Sequence, residues 1–266
     1  PRELLSMAAA DVAFVLLRRR ARLGSGYIST ESPIIVTGMH RSGTSLVSRL
    51  LERGGAYVGG SWVDRNHEAV HFKRANMAMM GEGYHKLHDY GWAAPKSDDF
   101  IEARRGYAER AAANASRFFA ERRDQAVWGW KDPRNSITLP VWLSIYPGAR
   151  VLNVLRDGRA VALSLADRDE LDPAFGLALW AHYTERAERG LAAVPQARKC
   201  TVRFEDITET PVESIRAIFA FAGLQPGESL EAIAATVDTE RRAAREADPR
   251  LATAGDHPLL ARYGYR

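Results

Sequence analysis

The chain has 266 residues, enough for one α/β domain with a sizeable core, so a second domain is not required. Apolar content of 46% and charged content of 26% are ordinary for a soluble globular protein, and Cys200, the sole cysteine, excludes an internal disulfide framework and reads as a buried structural thiol. A net charge of +4 suits anionic small ligands as well as nucleic acid, and by itself favours neither.

At the N-terminus, Ala8 to Leu17 is mostly apolar, is interrupted by Asp11, and is followed by Arg18, Arg19 and Arg20. This run is too short to span a bilayer. Its charges follow the apolar stretch, the wrong order for a secretory signal. Residues 1–32 are therefore expected to form an amphipathic helix and a lead-in packed on the domain, with a peripheral membrane contact as the other reading. A cytoplasmic protein is expected.

Residues 33–266 read as one domain. Pro33-Ile-Ile-Val-Thr-Gly38 is a β-prone run ending in a glycine turn, and the pattern after it puts Leu46, Val47, Leu50 and Leu51 on one helical face. Ala56-Tyr-Val58 is a short second strand. Residues 66–122 are mainly helical, with an aperiodic part around Gly81 to Asp99. Strands return at Val127–Trp130, Val151–Leu155 and Cys200–Phe204, each followed by a helical pattern. The last of these helices has Thr210 as N-cap, Pro211 at its first position, Val212, Ile215, Ile218, Phe219 and Ala222 on one face, and Gly223 at its end. The tail beyond Pro226 is helix and loop. Alternation of this kind predicts an α/β fold, a single domain with a central, mostly parallel sheet flanked by helices.

Two strand-to-helix junctions carry chemistry. Gly38-Met-His-Arg-Ser-Gly43-Thr-Ser45 has the spacing of a phosphate-binding loop, with Thr44 where the lysine of that motif belongs. The setting aims backbone N–H groups and a helix N-terminus at an anion. Arg41 and the hydroxyls of Ser42, Thr44 and Ser45 suit a small anionic group without a metal. The second junction is Val154-Leu-Arg156-Asp-Gly-Arg159, running on to Ser164 and Arg168. Arg156 falls at a strand's carboxyl end, where open α/β sheets bind ligands. A helix from about Asp157 carries Ser164 and Arg168 on one face. This makes a second anion site, separate from the first loop.

The first loop resembles the 5′-phosphosulfate-binding loop of sulfotransferases that use 3′-phosphoadenosine-5′-phosphosulfate (PAPS), and the second motif resembles their 3′-phosphate-binding segment. Lys131-Asp-Pro133 and Tyr146-Pro-Gly-Ala-Arg-Val-Leu-Asn-Val-Leu-Arg156 are similar to the tyrosylprotein sulfotransferases and related bacterial enzymes. Val202-Arg-Phe-Glu-Asp-Ile207 resembles their R-Y-E-D-L segment, with Phe204 in the usual tyrosine position. The resemblance spans about residues 33 to 226. It implies a P-loop-like fold and sulfuryl transfer from PAPS, leaving 3′-phosphoadenosine-5′-phosphate (PAP), to an acceptor hydroxyl. It gives Arg41, Gly43, Thr44 and Ser45 the 5′-phosphosulfate, Arg156 and Ser164 the 3′-phosphate, Arg168 a further basic contact, and Lys131 the leaving phosphosulfate bridge.

The base is sought in Asn66-His-Glu68-Ala-Val-His71-Phe72 with Asn76, which resembles an N-x-E-x-x-x-F pattern of some bacterial members. Glu68, on a helix, is the expected catalytic carboxylate, with His67 and His71 as rivals. The spacings of His67, Glu68, His71, His85 and His88 fit no strong metal-ligand motif, and no metal is assigned. Trp62, Tyr84, Trp92 and Phe100 are candidates for lining an acceptor cleft. The acceptor itself, whether small molecule, carbohydrate, lipid or peptide, is open. Two alternatives stand beside this reading: a nucleoside or nucleotide kinase with a degenerate loop and Asp132 as magnesium ligand, and a non-catalytic nucleotide-binding module. No nucleic-acid-binding motif is recognisable.

Overall fold

The structure, a computed structural model, describes residues 26–59, 63–64, 66–82, 96–118, 126–238 and 248–265. The expected helix within residues 1–25, and Trp62, Tyr84, His85, His88 and Trp92, lie outside them.

Among the described residues four short strands build one fully parallel sheet: β1 (Ile34–Thr37), β2 (Gly129–Lys131), β3 (Arg150–Leu155) and β4 (Lys199–Arg203), in the spatial order β2-β1-β3-β4. Ile35 of β1 stands opposite Trp130 on one side and Val151 on the other. Gly129 permits the close approach of β2, because a Cβ there would lie 2.1 Å from the Ile34 carbonyl oxygen. Tyr57 makes a single parallel bridge to Trp128 rather than the expected second strand. The three-residue stretch turns away once one backbone pair is made.

The helices are α1 (Thr44–Arg53), α2 (Val70–Met79), α3 (Asp98–Glu102), α4 (Gly106–Phe118), α5 (Asn135–Ile145), α6 (Gly158–Asp169), α7 (Pro173–Ala192), α8 (Phe204–Glu209), α9 (Pro211–Ala222), α10 (Leu230–Ala234) and α11 (Pro258–Arg262). They cover both faces of the sheet, as alternation along buried parallel strands requires. Ile34, Val36, Leu152 and Val154 pack against Val47, Leu50 and Leu51 of α1 and Ile215, Ile218 and Phe219 of α9. Ile35, Trp130 and Val151 face the other way, into a core built from α2, α4, α5 and α7. There Phe72 stacks on Trp130 with centroids 4.0 Å apart and planes 7° from parallel. Asn76 sits among these rings with its polar atoms matched. It donates to Asp132 and Asn135, each at 2.9 Å, and accepts from Thr138 and Trp142, each at 2.8 Å.

Two local expectations need correction. Phe204 opens helix α8 instead of closing β4, so the R-Y-E-D-L-like segment is a strand end, a short helix and then α9. Thr210 does precede α9, but its hydroxyl donates to the Asp206 carbonyl and does not cap. Gly223 ends α9 as read, in the left-handed region at φ 67°.

Candidate active site

The carboxyl ends of β1, β2, β3 and β4 deliver the glycine loop, Lys131, Arg156 and Phe204 to one edge of the sheet. This is the edge, flanking a central strand, at which open α/β sheets bind ligands.

The loop Gly38–Gly43 owes its shape to backbone that other residues would resist. Gly38 has φ 139°, and a Cβ there would fall 2.4 Å from the Val154 carbonyl oxygen. Gly43 has φ 97°, and its Cβ would fall 2.4 Å from Cδ2 of Phe204. Arg41 itself adopts φ 68°, a strained conformation for a residue with a side chain. Helix α1 then starts without a side-chain cap, leaving its N-terminal end to the loop. The root of the loop is fixed from α5, where Ser136 Oγ lies 2.8 Å from Thr37 Oγ1 and accepts the Gly38 N–H at 3.2 Å.

The three loop hydroxyls are not equivalent. Ser42 is buried and donates to the Met39 carbonyl at 2.7 Å, so its hydroxyl serves the loop's own turn and not the anion side. Thr44 is buried at the helix start, and Ser45 donates to the Asn66 carbonyl at 2.9 Å, tying the loop to the segment that carries Glu68.

The two motifs, far apart in sequence, come into contact in the fold. Arg41 Nε donates to Ser164 Oγ at 2.8 Å, across 123 residues of chain. Arg156 Nη1 donates to the Arg41 carbonyl at 3.0 Å, and its guanidinium lies 4.4 Å from the Phe204 ring centroid. Asp157 caps α6 by accepting the Arg159 N–H and pairs with the Arg159 side chain, which places Arg159 in a structural role. Arg168 lies at the far end of α6, exposed, with Nε 2.8 Å from both carboxylate oxygens of Asp169. Its guanidinium pairs with the adjacent carboxylate, and its charge still reaches the loop, where it helps to lower the pKa of His40.

On the β2 side, Lys131 is 2% exposed and its Nζ lies 3.2 Å from Glu68 Oε1. Glu68 is 4% exposed and stands in the turn before α2, not on a helix as expected. Asp64 shapes that turn by accepting the N–H groups of Asn66 and Glu68. Lys73, from the first turn of α2, reaches Glu68 Oε2 at 2.9 Å and Asp64 Oδ2 at 2.6 Å. Burial pushes the Glu68 carboxyl up, but Lys131, Lys73 and Arg134 outweigh it and hold the group well below the usual carboxylate range. Burial likewise opposes the Lys73 charge, yet Glu68 and Asp64 raise its pKa above the ordinary lysine value.

The histidine rivals are differently placed. The His71 ring nitrogen Nε2 donates to the Ala111 carbonyl at 2.8 Å, and burial lowers its pKa to about 4, so the ring is a neutral strut between α2 and α4. His67 takes φ 56° in the turn, and burial followed by the Arg49 charge lowers its pKa. His40, inside the loop motif but not singled out from it, is buried edge-on to Tyr183 at 5.8 Å between centroids. Its pKa is held well below the ordinary value by burial first and then by Arg134. Sequence reading also missed Asp64, Lys73 and Arg134. The Asp64/Glu68 spacing of four and Lys73 five further on carry no motif, so only the folded turn exposes their relation.

Asp132, the carboxylate a kinase would need, is fully buried and accepts from Arg134 and Asn76. Among the described residues no group of three or more His, Cys, Asp or Glu could hold a metal ion. Phe100, the one described member of the expected acceptor lining, has the Arg104 guanidinium 3.6 Å from its ring centroid. Among the described residues no helix is long and apolar enough to cross a membrane.

A P-loop-like loop without its lysine thus stands beside an arginine and a serine from the next parallel strand and helix, at the edge where open α/β sheets bind ligands. The Sulfotransferase family model matches residues 33–228, and the chain belongs to that family: it is a sulfotransferase, an enzyme of sulfuryl transfer. Solved structures with a similar fold include the sulfotransferase domain of the Synechococcus olefin synthase, at 15% identity over 91% of this chain and 86% of that one, with TM-score 0.53. A sulfotransferase from Alicyclobacillus acidocaldarius matches at 18% identity over 88% and 100%, TM-score 0.51, and one from Mycobacterium tuberculosis at 15% over 83% and 77%, TM-score 0.52. At these identities the likeness concerns the fold. No curated protein sequence matches the chain.

Proposed function

We propose that the sulfuryl donor is PAPS, that the acceptor is a hydroxyl, and that no metal takes part. The observation that carries this reading is the junction of Arg41, Ser164 and Arg156, with Arg41 Nε 2.8 Å from Ser164 Oγ and Arg156 Nη1 3.0 Å from the Arg41 carbonyl. Two arginines of adjacent strand ends and a helix hydroxyl suit a nucleotide with phosphates at both 5′ and 3′ positions. The positive-φ backbone at Gly38 and Gly43, which shapes the loop, and the uncapped start of α1 suit the binding of such a phosphate by backbone N–H groups.

When bound, the donor supplies the sulfuryl group and a phosphate as leaving group. Arg41, Gly43, Thr44 and Ser45 hold the 5′ end, with Ser42 contributing through the loop backbone. Arg156 and Ser164 grip the 3′-phosphate, and the binding energy gained there positions the reacting group, which is how contacts remote from the chemistry assist it. Arg168 is a peripheral basic contact once it leaves Asp169. Phe204, lying against Gly43 and Arg156, walls the nucleotide site without the hydrogen bond a tyrosine would add. Lys131 stabilises charge on the leaving oxygen, and Glu68 takes the acceptor's proton. The acceptor belongs to the small-molecule, carbohydrate, lipid or peptide hydroxyls, and the setting is cytoplasmic. The kinase alternative is disfavoured by Thr44 in the lysine position and by the commitment of Asp132 to Arg134 and Asn76.

Calorimetry without magnesium tests the reading. Adenosine-3′,5′-bisphosphate is expected to bind clearly more tightly than ADP. Equal affinity, or a need for magnesium, overturns it.

A further inference from the structure

A chain of alternating charge runs through the site: Asp64, Lys73, Glu68, Lys131. Lys73 Nζ stands 2.6 Å from Asp64 Oδ2 and 2.9 Å from Glu68 Oε2, while Lys131 Nζ stands 3.2 Å from Glu68 Oε1. The two oxygens of the Glu68 carboxylate therefore face two different ammonium groups. Asp64 belongs to the same turn as Glu68, since its backbone N–H donates to the Glu68 carbonyl at 3.1 Å and its Oδ1 accepts the Glu68 N–H at 3.0 Å. Lys73, from the first turn of α2, thus bridges two carboxylates of one turn.

This arrangement meets two demands that conflict. A lysine that stabilises a leaving oxygen has to let go of Glu68. A base has to accept a proton, which a carboxylate flanked by two ammonium groups does poorly. Sharing Lys131 between the two tasks removes the conflict, provided something else keeps the carboxylate in place. Arg134, from the turn before α5, acts on Glu68 only at longer range, because its guanidinium is engaged by Glu82 at 3.0 Å and Asp132 at 3.1 Å. His40 of the loop is buried and held towards its neutral form. Asp132 opposes the Glu68 charge, as does Asp64 from beyond Lys73. Among the described residues, Lys73 is the cation that remains in contact with Glu68 once Lys131 departs.

We propose that Lys73 is a positioning residue: it holds Oε2 of Glu68 while Lys131 exchanges Oε1 for the leaving oxygen, so that donor binding turns Glu68 from an ion-pair partner into the proton acceptor. The inference rests on the reading of Glu68 as the base. In the step it serves, the acceptor oxygen forms its bond to sulfur as its O–H proton passes to the vacated Oε1. The bond from sulfur to the bridging oxygen breaks, and its electron pair stays on the departing phosphate, where Lys131 meets the charge. Base strength and leaving-group stabilisation are then coupled through one lysine.

The test reads the Glu68 carboxyl directly, by carbon-13 NMR of protein labelled at glutamate side chains, with the resonance assigned by its loss in Glu68→Gln. In the wild type, saturating adenosine-3′,5′-bisphosphate is expected to move the Glu68 titration midpoint upward. In Lys73→Met the midpoint is expected about 1–3 pH units above the wild type before nucleotide is added, the scale for losing one contacting opposite charge. Lys73→Arg is expected to restore it. Asp64→Asn keeps the oxygen that holds the turn, removes a repelling charge, and is expected to move the midpoint down, which gives a second measurement of opposite sign should Lys73→Met fold poorly. A midpoint that ignores the nucleotide, or that is the same in Lys73→Met, Asp64→Asn and wild type, overturns the proposal. The base reading fails separately, when Glu68→Gln keeps near-normal turnover, so the two failures are distinguishable.

Discussion

Glu68→Gln probes stability and chemistry at once, and the two effects separate in a double-mutant cycle. The Glu68 and Lys131 side chains are 5% and 2% exposed and stand 3.2 Å apart. Removing one partner of a buried pair strands the other charge and costs about 3–5 kcal/mol. Glutamine keeps an acceptor oxygen for Lys131, which puts the expected loss near 3 kcal/mol, the lower end of that range. For a domain of this size, about 2–4 °C per kcal/mol converts the loss into a melting temperature lowered by roughly 6–12 °C. Lys131→Met strands less, because Lys73 still contacts Glu68 at 2.9 Å. The double variant Glu68→Gln/Lys131→Met carries neither buried charge and is expected to melt above Glu68→Gln, although turnover stays lost. Glu68→Gln itself is expected to cut turnover about 10²–10⁴-fold with nucleotide affinity nearly intact. Acidification adds a check. Glu68 is held below its unfolded value, so its stabilisation is complete above about pH 4.3 and is lost as pH falls towards the folded value. The gap between wild type and Glu68→Gln should therefore narrow on acidification. Thermal melts of the four proteins across pH decide the matter. A Glu68→Gln protein that melts with the wild type, or a double variant less stable than both singles, refutes the buried pair as described.

Arg156→Ala is expected to weaken adenosine-3′,5′-bisphosphate by about 1.5–3 kcal/mol and to erase its advantage over the analogue lacking the 3′-phosphate, both read by calorimetry. Gly43→Ala forces φ 97° on a residue with a side chain, about 1–2 kcal/mol, and drives a methyl to 2.4 Å from Phe204, so nucleotide affinity should fall while the fold, read by circular dichroism, persists. His71 is held neutral down to about pH 4, so the unfolded chain binds its proton first and stability should drop as pH falls from about 6.5 to 4. His71→Gln should flatten that component in urea unfolding while leaving the Glu68-dependent chemistry in place.

The sequence by itself determined whatever depends on local patterning. The run Ile34–Thr37 followed by the glycine loop and the apolar face of Val47, Leu50 and Leu51 had to be strand, turn and helix, because period and glycine placement act within a few residues. Arg156 at a strand end and Gly223 after α9 were legible for the same reason. The bridge at Tyr57, the early helix at Phe204 and the loop conformation of Glu68 were not, since short segments take the structure their neighbours impose. Tertiary structure alone decided that the two motifs meet. Arg41 meets Ser164 because β3 pairs beside β1, and no local signal fixes strand order. It alone decided the charge chain from Asp64 to Lys131 as well. Lys131 comes from a strand 63 residues beyond Glu68, and burial strengthens their attraction by excluding the water that would screen it.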